Sequence, residues 1–139
     1  MARLTMTLDF HNSWTVPEPA LDLLTQAQDG LAAAGRESDA AQRFALAYLS
    51  ALRAGAALLA MRGRPHRGAS RPMSVWTLLA SVAPELREWA AFFASWSATR
   101  ASVQAGITRA VSQRTADDLL RQTSQFLDLV TRAIHGPAS

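Results

Sequence analysis

Residues 44–61 read FALAYLSALRAGAALLAM. Phe44, Tyr48, Leu52 with Ala51, Gly55 or Ala56, and Leu59 recur at the three-to-four-residue spacing of one helix face. Ala45, Ala47, Ala54, Ala57 and Gly55 leave the rest of that helix thin, so that neighbouring helices can approach it closely. Ser38 or Asp39 provides a capping side chain at its start, and Gly63 and Pro65 stop it. The stretch is about as long as a membrane span. Arg53 lies at its centre, however, where a lipid-exposed charge costs roughly 2.5–3.5 kcal/mol, so the expectation is a core helix and no membrane.

Upstream, residues 1–18 show no helical period and read as an N-terminal arm containing His11, Trp14 and Pro17. Arg3, Asp9, His11 and Glu18 interrupt any apolar run there, so the pattern of an export segment is missing. A first helix opens at Pro19, runs through Leu21, Leu24, Ala27 and Leu31, and ends at Gly35. Downstream, Ser74 caps a short helix through Val75, Trp76, Leu78, Leu79 and Val82, and Pro84 either kinks it or opens another. Leu86, Trp89, Phe93 and Trp96 mark an amphipathic segment reaching Gly106. Ser112 or Thr115 caps a last helix, with Asp117 and Asp118 at its positive end. Its apolar face is Leu119, Leu120, Thr123, Leu127, Val130 and Ile134, and Gly136-Pro137 close it. Asp39/Arg43, Asp117/Arg121 and Asp128/Arg132 are spaced four apart, as ion pairs on solvated helix faces are. No segment alternates with a period of two. The expected fold is all-α: a compact up-and-down bundle of about five helices, forming one domain over 19–136.

Composition excludes several chemistries. The 139 residues include no cysteine, hence no disulfide, thiolate metal site or cysteine nucleophile, which fits a reducing, cytoplasmic setting. His11, His66 and His135 are scattered, with no ligand partner at helical spacing, and Glu85 and Glu88 read as a solvated helix start, so no metal site is expected. Gly63, Gly68 and Gly106 form no phosphate-loop or dinucleotide fingerprint, there is no lysine, and no Gly-x-Ser-x-Gly elbow occurs. No cofactor is expected.

Charge is the informative property. Residues 1–39 carry two arginines and six acids, and residues 85–139 carry six arginines and five acids. Residues 40–84 carry six arginines and no acid. Four of those six, Arg62, Arg64, Arg67 and Arg71, fall with His66 in the stretch RGRPHRGASRPM over 62–73, between two helices. Guanidinium forks match phosphate oxygens, so this loop is the candidate site for RNA or nucleotide phosphate; the alternative is a solvated hairpin tip. Arg62 and His66 are in addition weak candidates for an RNA-cleaving pair, with His66 as general acid or base. Trp76, Trp89 and Trp96 fit the apolar stripes of a core or an interface, and less readily a platform for stacking bases. An aromatic face of Trp89, Phe92, Phe93 and Trp96 is the candidate contact for a homodimer or a protein partner.

The stretches SVWTLLASVAPELREWAAFFA over 74–94 and RAVSQRTADDLL over 109–120, with LRAGAALLA over 52–60 and the basic loop, resemble the actinobacterial SAV-type HEPN domain family. The resemblance covers about residues 20–135. It implies a HEPN-type helical bundle, often dimeric, from a superfamily that includes metal-independent RNases, toxin components and non-catalytic versions that bind nucleotides or RNA. Catalytic members carry an arginine, four to six residues, then a histidine. Here three residues separate Arg62 from His66, two separate Arg132 from His135, and seven separate Arg3 from His11. The departure implies a non-catalytic member.

Overall fold

The computed structural model describes residues 16–63 and 74–136. The His11 and Trp14 of the arm, Arg64, His66, Arg67 and Arg71 of the basic loop, and Pro137 lie outside the described residues. The chain forms helices α1 (Glu18–Arg36), α2 (Ala40–Arg62), α3 (Val75–Val82), α4 (Arg87–Ala94), α5 (Ser97–Gln104) and α6 (Gln113–His135), with a 3-10 turn (Pro84–Leu86) before α4. The fold is all-α, as the sequence pattern implied. The described residues hold six helices rather than five, because the amphipathic segment ending near Gly106 breaks into the 3-10 turn, α4 and α5.

The breaks have local causes. Pro84 has no N–H to give, so α3 stops at Val82 and Leu86 N–H turns back to the Ala83 carbonyl at 2.8 Å. At the end of α4 the Ser95 hydroxyl donates to the Phe92 carbonyl at 2.6 Å, and Trp96 N–H donates to the Phe93 carbonyl at 3.0 Å. These short-range bonds tighten the last turn and redirect the chain into α5. Asp39, Ser74 and Ser112 each accept a backbone N–H three residues on, giving α2, α3 and α6 the capping side chain expected from the sequence.

Helix α2 is the centre of the bundle, packed by α1, α3, α5 and α6. It is long and apolar enough to cross a membrane, yet Phe44, Ala47, Tyr48, Ser50, Ala51, Ala54, Gly55, Ala57, Leu58 and Leu59 are all buried against its neighbours. Gly55 is needed for α3: a Cβ there would lie 3.1 Å from Val75 Cγ1 and 3.3 Å from Trp76 Cζ3. On the other side Ser50 Oγ donates to the Ala27 carbonyl at 2.6 Å, tying α1 to α2.

An aromatic cluster fills the junction of α2, α3, α4 and α6. Trp76 stacks on Phe93 with centroids 5.0 Å apart, and Phe126 meets Phe93 at 5.0 Å and Trp89 at 5.7 Å. A buried polar chain runs through it. Trp76 Nε1–H donates to Tyr48 Oη at 2.9 Å, and Tyr48 Oη–H donates to the Phe93 carbonyl at 3.2 Å. Both polar tips are thereby satisfied inside an apolar cluster.

The three Asp/Arg pairs expected four apart do not form. Asp39 spends its carboxylate on the α2 N-terminus, accepting Gln42 N–H at 3.0 Å. Arg43 instead donates through Nε to the carbonyls of Ala34 (3.2 Å) and Glu37 (2.9 Å), through Nη2 to Gly35 (3.3 Å), and through Nη1 to the Asp117 carboxylate of α6. One guanidinium thus satisfies the orphan carbonyls at the end of α1 and fastens them to the start of α6. Arg121 pairs with Asp118 at 2.6 Å rather than with Asp117, and Asp128 has no ion pair among the described residues.

Two substitutions should move stability in opposite directions. Tyr48→Phe strands the Trp76 N–H and should cost about 1–3 kcal/mol. Thr123 is fully buried on α6 and its hydroxyl has no partner. Thr123→Val keeps the shape and removes the stranded group, so it should gain up to about 1 kcal/mol. At roughly 3–5 °C per kcal/mol for a domain of this size, calorimetric melting resolves both.

Candidate binding surfaces

The basic segment starts from a fixed point. Helix α2 ends in Arg62, and Gly63, at φ 87°, turns the backbone away while its N–H closes on the Leu59 carbonyl at 2.8 Å. Ser74, the cap of α3, fixes the other end. Arg64, His66, Arg67 and Arg71 lie between these two points, outside the described residues, so of the predicted phosphate-binding residues only Arg62 is placed.

Arg62 is not surrounded by positive charge alone. Its Nη1 sits 2.7 Å from Glu85 Oε2, on the 3-10 turn. The linear sequence hides this partner because 22 residues and a whole helix intervene. The Glu85 side chain is about half open to water and that of Arg62 about a third, so solvent screens the pair and it orients Arg62 more than it stabilises the fold. The Glu85 carboxyl is held below the usual glutamate range, first by a hydrogen bond from its own backbone N–H and then by Arg62.

Glu85 also marks the meeting point of two clefts between the 3-10 turn with α4 on one side and α6 on the other. One, of about 410 Å³, is lined by Glu85, Glu88, Trp89, Phe92 and Gln122. The other, of about 340 Å³, is lined by Glu85, Leu86, Leu129, Arg132 and Ala133. Phe92 of α4 shares the first cleft with Gln122 of α6, and Leu86 of the 3-10 turn shares the second with Leu129 and Ala133 of α6.

The predicted aromatic face is divided by the structure. Phe93 is completely buried beneath Trp76 and Phe126 and offers no surface, which removes it from any interface. It follows Phe92 in the helix, and a turn of about 100° per residue sends one inward and leaves the other half-exposed. Trp96 is half-buried, edge-on to Phe44 at 5.7 Å, away from the cleft. Trp76 is core. Trp89 and Phe92 alone of this set wall the cleft. Elsewhere, Arg100 lies over the Tyr48 ring at 5.4 Å, a cation–π contact that fixes α5 to α2. Ile107, between α5 and α6, is the one exposed large aliphatic side chain among the described residues. No group of three or more metal-ligating side chains converges among the described residues.

The model of the SAV_6107-like HEPN family matches residues 33–131, from the last turn of α1 to the last turns of α6. The chain belongs to this HEPN family. No curated protein and no solved structure matches it. The matched region holds a single histidine, His66, since His11 and His135 fall on either side. Membership accounts for the all-α fold, and the short helices α3 to α5 lie wholly inside the matched residues.

The Arg62–Glu85 pair gives a pH signature. Glu85, with its lowered pKa, contributes to stability fully above the ordinary glutamate value, and the contribution is lost as pH falls through the lowered one. A carboxyl NMR titration should find the Glu85 midpoint below the ordinary value. Arg62→Gln should raise that midpoint yet leave it depressed, because the backbone N–H remains.

Proposed function

We propose that this HEPN domain is a non-catalytic, cytoplasmic binding module that grips RNA or nucleotide phosphate through Arg62, Arg64, Arg67 and Arg71, with His66 as a titrating fifth member. The carrying observation is the charge pattern: six arginines and no acid over residues 40–84, four of those arginines within ten residues of the α2–α3 connection. An arginine fork donates two parallel hydrogen bonds to a phosphate and stays charged at every physiological pH. Two features support binding over cleavage. His66 is the only histidine in the family-matched region, and its three-residue separation from Arg62 is shorter than the four to six that the resemblance implies for catalytic members.

About four phosphate contacts to a single strand correspond to a log–log salt slope near −2.8, or roughly a fiftyfold loss of affinity between 50 and 200 mM salt. Fluorescence anisotropy with a labelled single-stranded RNA should show that slope. The Arg64→Ala/Arg67→Ala/Arg71→Ala triple variant should flatten it to about −0.7. The RNA should remain intact with the wild type and with His66→Ala alike. Salt-independent binding, no binding, or His66-dependent cleavage would each defeat the reading.

A second reading, a protein-docking module, is favoured by the cleft between α4 and α6. Half-exposed Trp89 and Phe92 form one wall there, and rigid aromatic walls of this kind anchor protein contacts.

A further inference from the structure

The same cleft has a polarity opposite to that of the basic segment. Glu85 and Glu88 stand three residues apart on one rim, one helical turn from each other, with the Trp89 and Phe92 rings as wall and the Gln122 amide across from them. Trp89 is held in place by Phe93 at 6.2 Å and Phe126 at 5.7 Å, so it presents a fixed ring and not a mobile one. A carboxylate beside an aromatic ring is a receptor for a cation, which gains an ion pair from one and quadrupole attraction from the other. Glu85 already holds a guanidinium, that of Arg62, at 2.7 Å. Glu88 has no cationic partner among the described residues. Phosphate is repelled by the Glu88 carboxylate, so nucleic acid is the wrong ligand at that part of the rim.

We propose that the α4–α6 cleft docks an arginine- or lysine-bearing segment of a protein partner, with the cation on Glu88 and its stem and an adjoining apolar side chain against the Trp89 and Phe92 wall. The cleft volume of about 410 Å³ takes one long side chain and its neighbour. This inference rests on the protein-docking reading of the aromatic wall and adds the partner's charge to it. It uses different residues from the RNA reading, Glu88, Trp89 and Phe92, and meets it only at Glu85, whose carboxylate pairs with Arg62.

The test is anisotropy of a labelled heptapeptide with two arginines flanking a leucine, beside the same peptide with glutamine for arginine. Wild-type protein should bind the first and not the second. Glu88→Gln should weaken binding about fivefold, the size of one partly exposed cation contact, and Glu88→Arg should abolish it. Both substitutions are at an exposed position and leave the core untouched. The Arg64→Ala/Arg67→Ala/Arg71→Ala variant should bind the peptide as the wild type does. Equal binding of the glutamine peptide, weakened by Phe92→Ala but not by Glu88→Arg, would overturn the cation while leaving the aromatic wall as a docking surface. No binding of either peptide would overturn both. Self-association lost in Phe92→Ala and retained in Glu88→Arg would assign the cleft to a second copy and overturn the proposal.

Discussion

Helix α2 is surrounded on nearly every side, and only an alanine-rich helix with a glycine at the crossing point can be. Every ångström of interhelical distance is set by the side chains at the contact, and alanine and glycine reduce that distance toward its minimum. Gly55 is where this limit is reached, with Val75 and Trp76 of α3 occupying the space a side chain would need. Because α3 lies so close, Trp76 reaches past α2 to stack on Phe93, and α4 and α6 close over it through Phe126. The placement of α4, and so the cleft it forms with α6, descends from that one close approach.

Tight packing alone does not choose among registers of small residues, since alanine fits alanine almost anywhere. The polar links supply the register. Ser50 on Ala27, Tyr48 between Trp76 and Phe93, and Arg43 over the end of α1 each work at one alignment only, because a slip would strand a buried donor or acceptor. Arg43 is the most economical of these. The carboxylate it meets, Asp117, titrates below the usual aspartate range because Gln113 and then Arg43 hydrogen-bond to its charged form. The α1–α6 clasp therefore holds above the ordinary aspartate value and loosens as pH falls through the lowered one.

Much of this was legible in the sequence, for reasons that particular residues make plain. Ser74 and Asp39 announced their helices because a cap acts on a backbone N–H three residues away, a local interaction that spacing reveals. The α2 stripe was legible because its period is that of the helix. What stayed hidden is long-range. Arg43 shares i,i+4 spacing with Asp39, and nothing nearby shows that Asp117, 74 positions on, binds it instead. Phe126 escaped the apolar face read for the last helix, though it sits at the middle of the aromatic cluster. The stripe Leu86, Trp89, Phe93 and Trp96 already set Phe93 apart from Phe92, but spacing does not say whether a stripe meets a core or a partner, and the burial of Phe93 shows that it meets the core. The cleft was illegible for the same reason, since Glu88 and Gln122 belong to different helices.

The Arg62–Glu85 pair joins two regions of opposite charge preference. On one side begins a segment whose arginines have no acid among them in sequence; on the other begins a carboxylate rim backed by aromatic rings. An ion pair between exposed groups is worth little as a strut, since each partner is nearly as well off in water. That weakness makes it exchangeable. Under the two proposals a phosphate arriving at Arg62 would free Glu85 to join Glu88 at the incoming cation, and a cation at Glu88 that drew Glu85 to it would free Arg62 for a phosphate. If both surfaces bind as proposed, occupation of either lowers the cost of filling the other, and the coupling is reciprocal by thermodynamic necessity. Its size is bounded by the strength of the shared pair, under about 1 kcal/mol, which is at most about a fivefold change in either affinity.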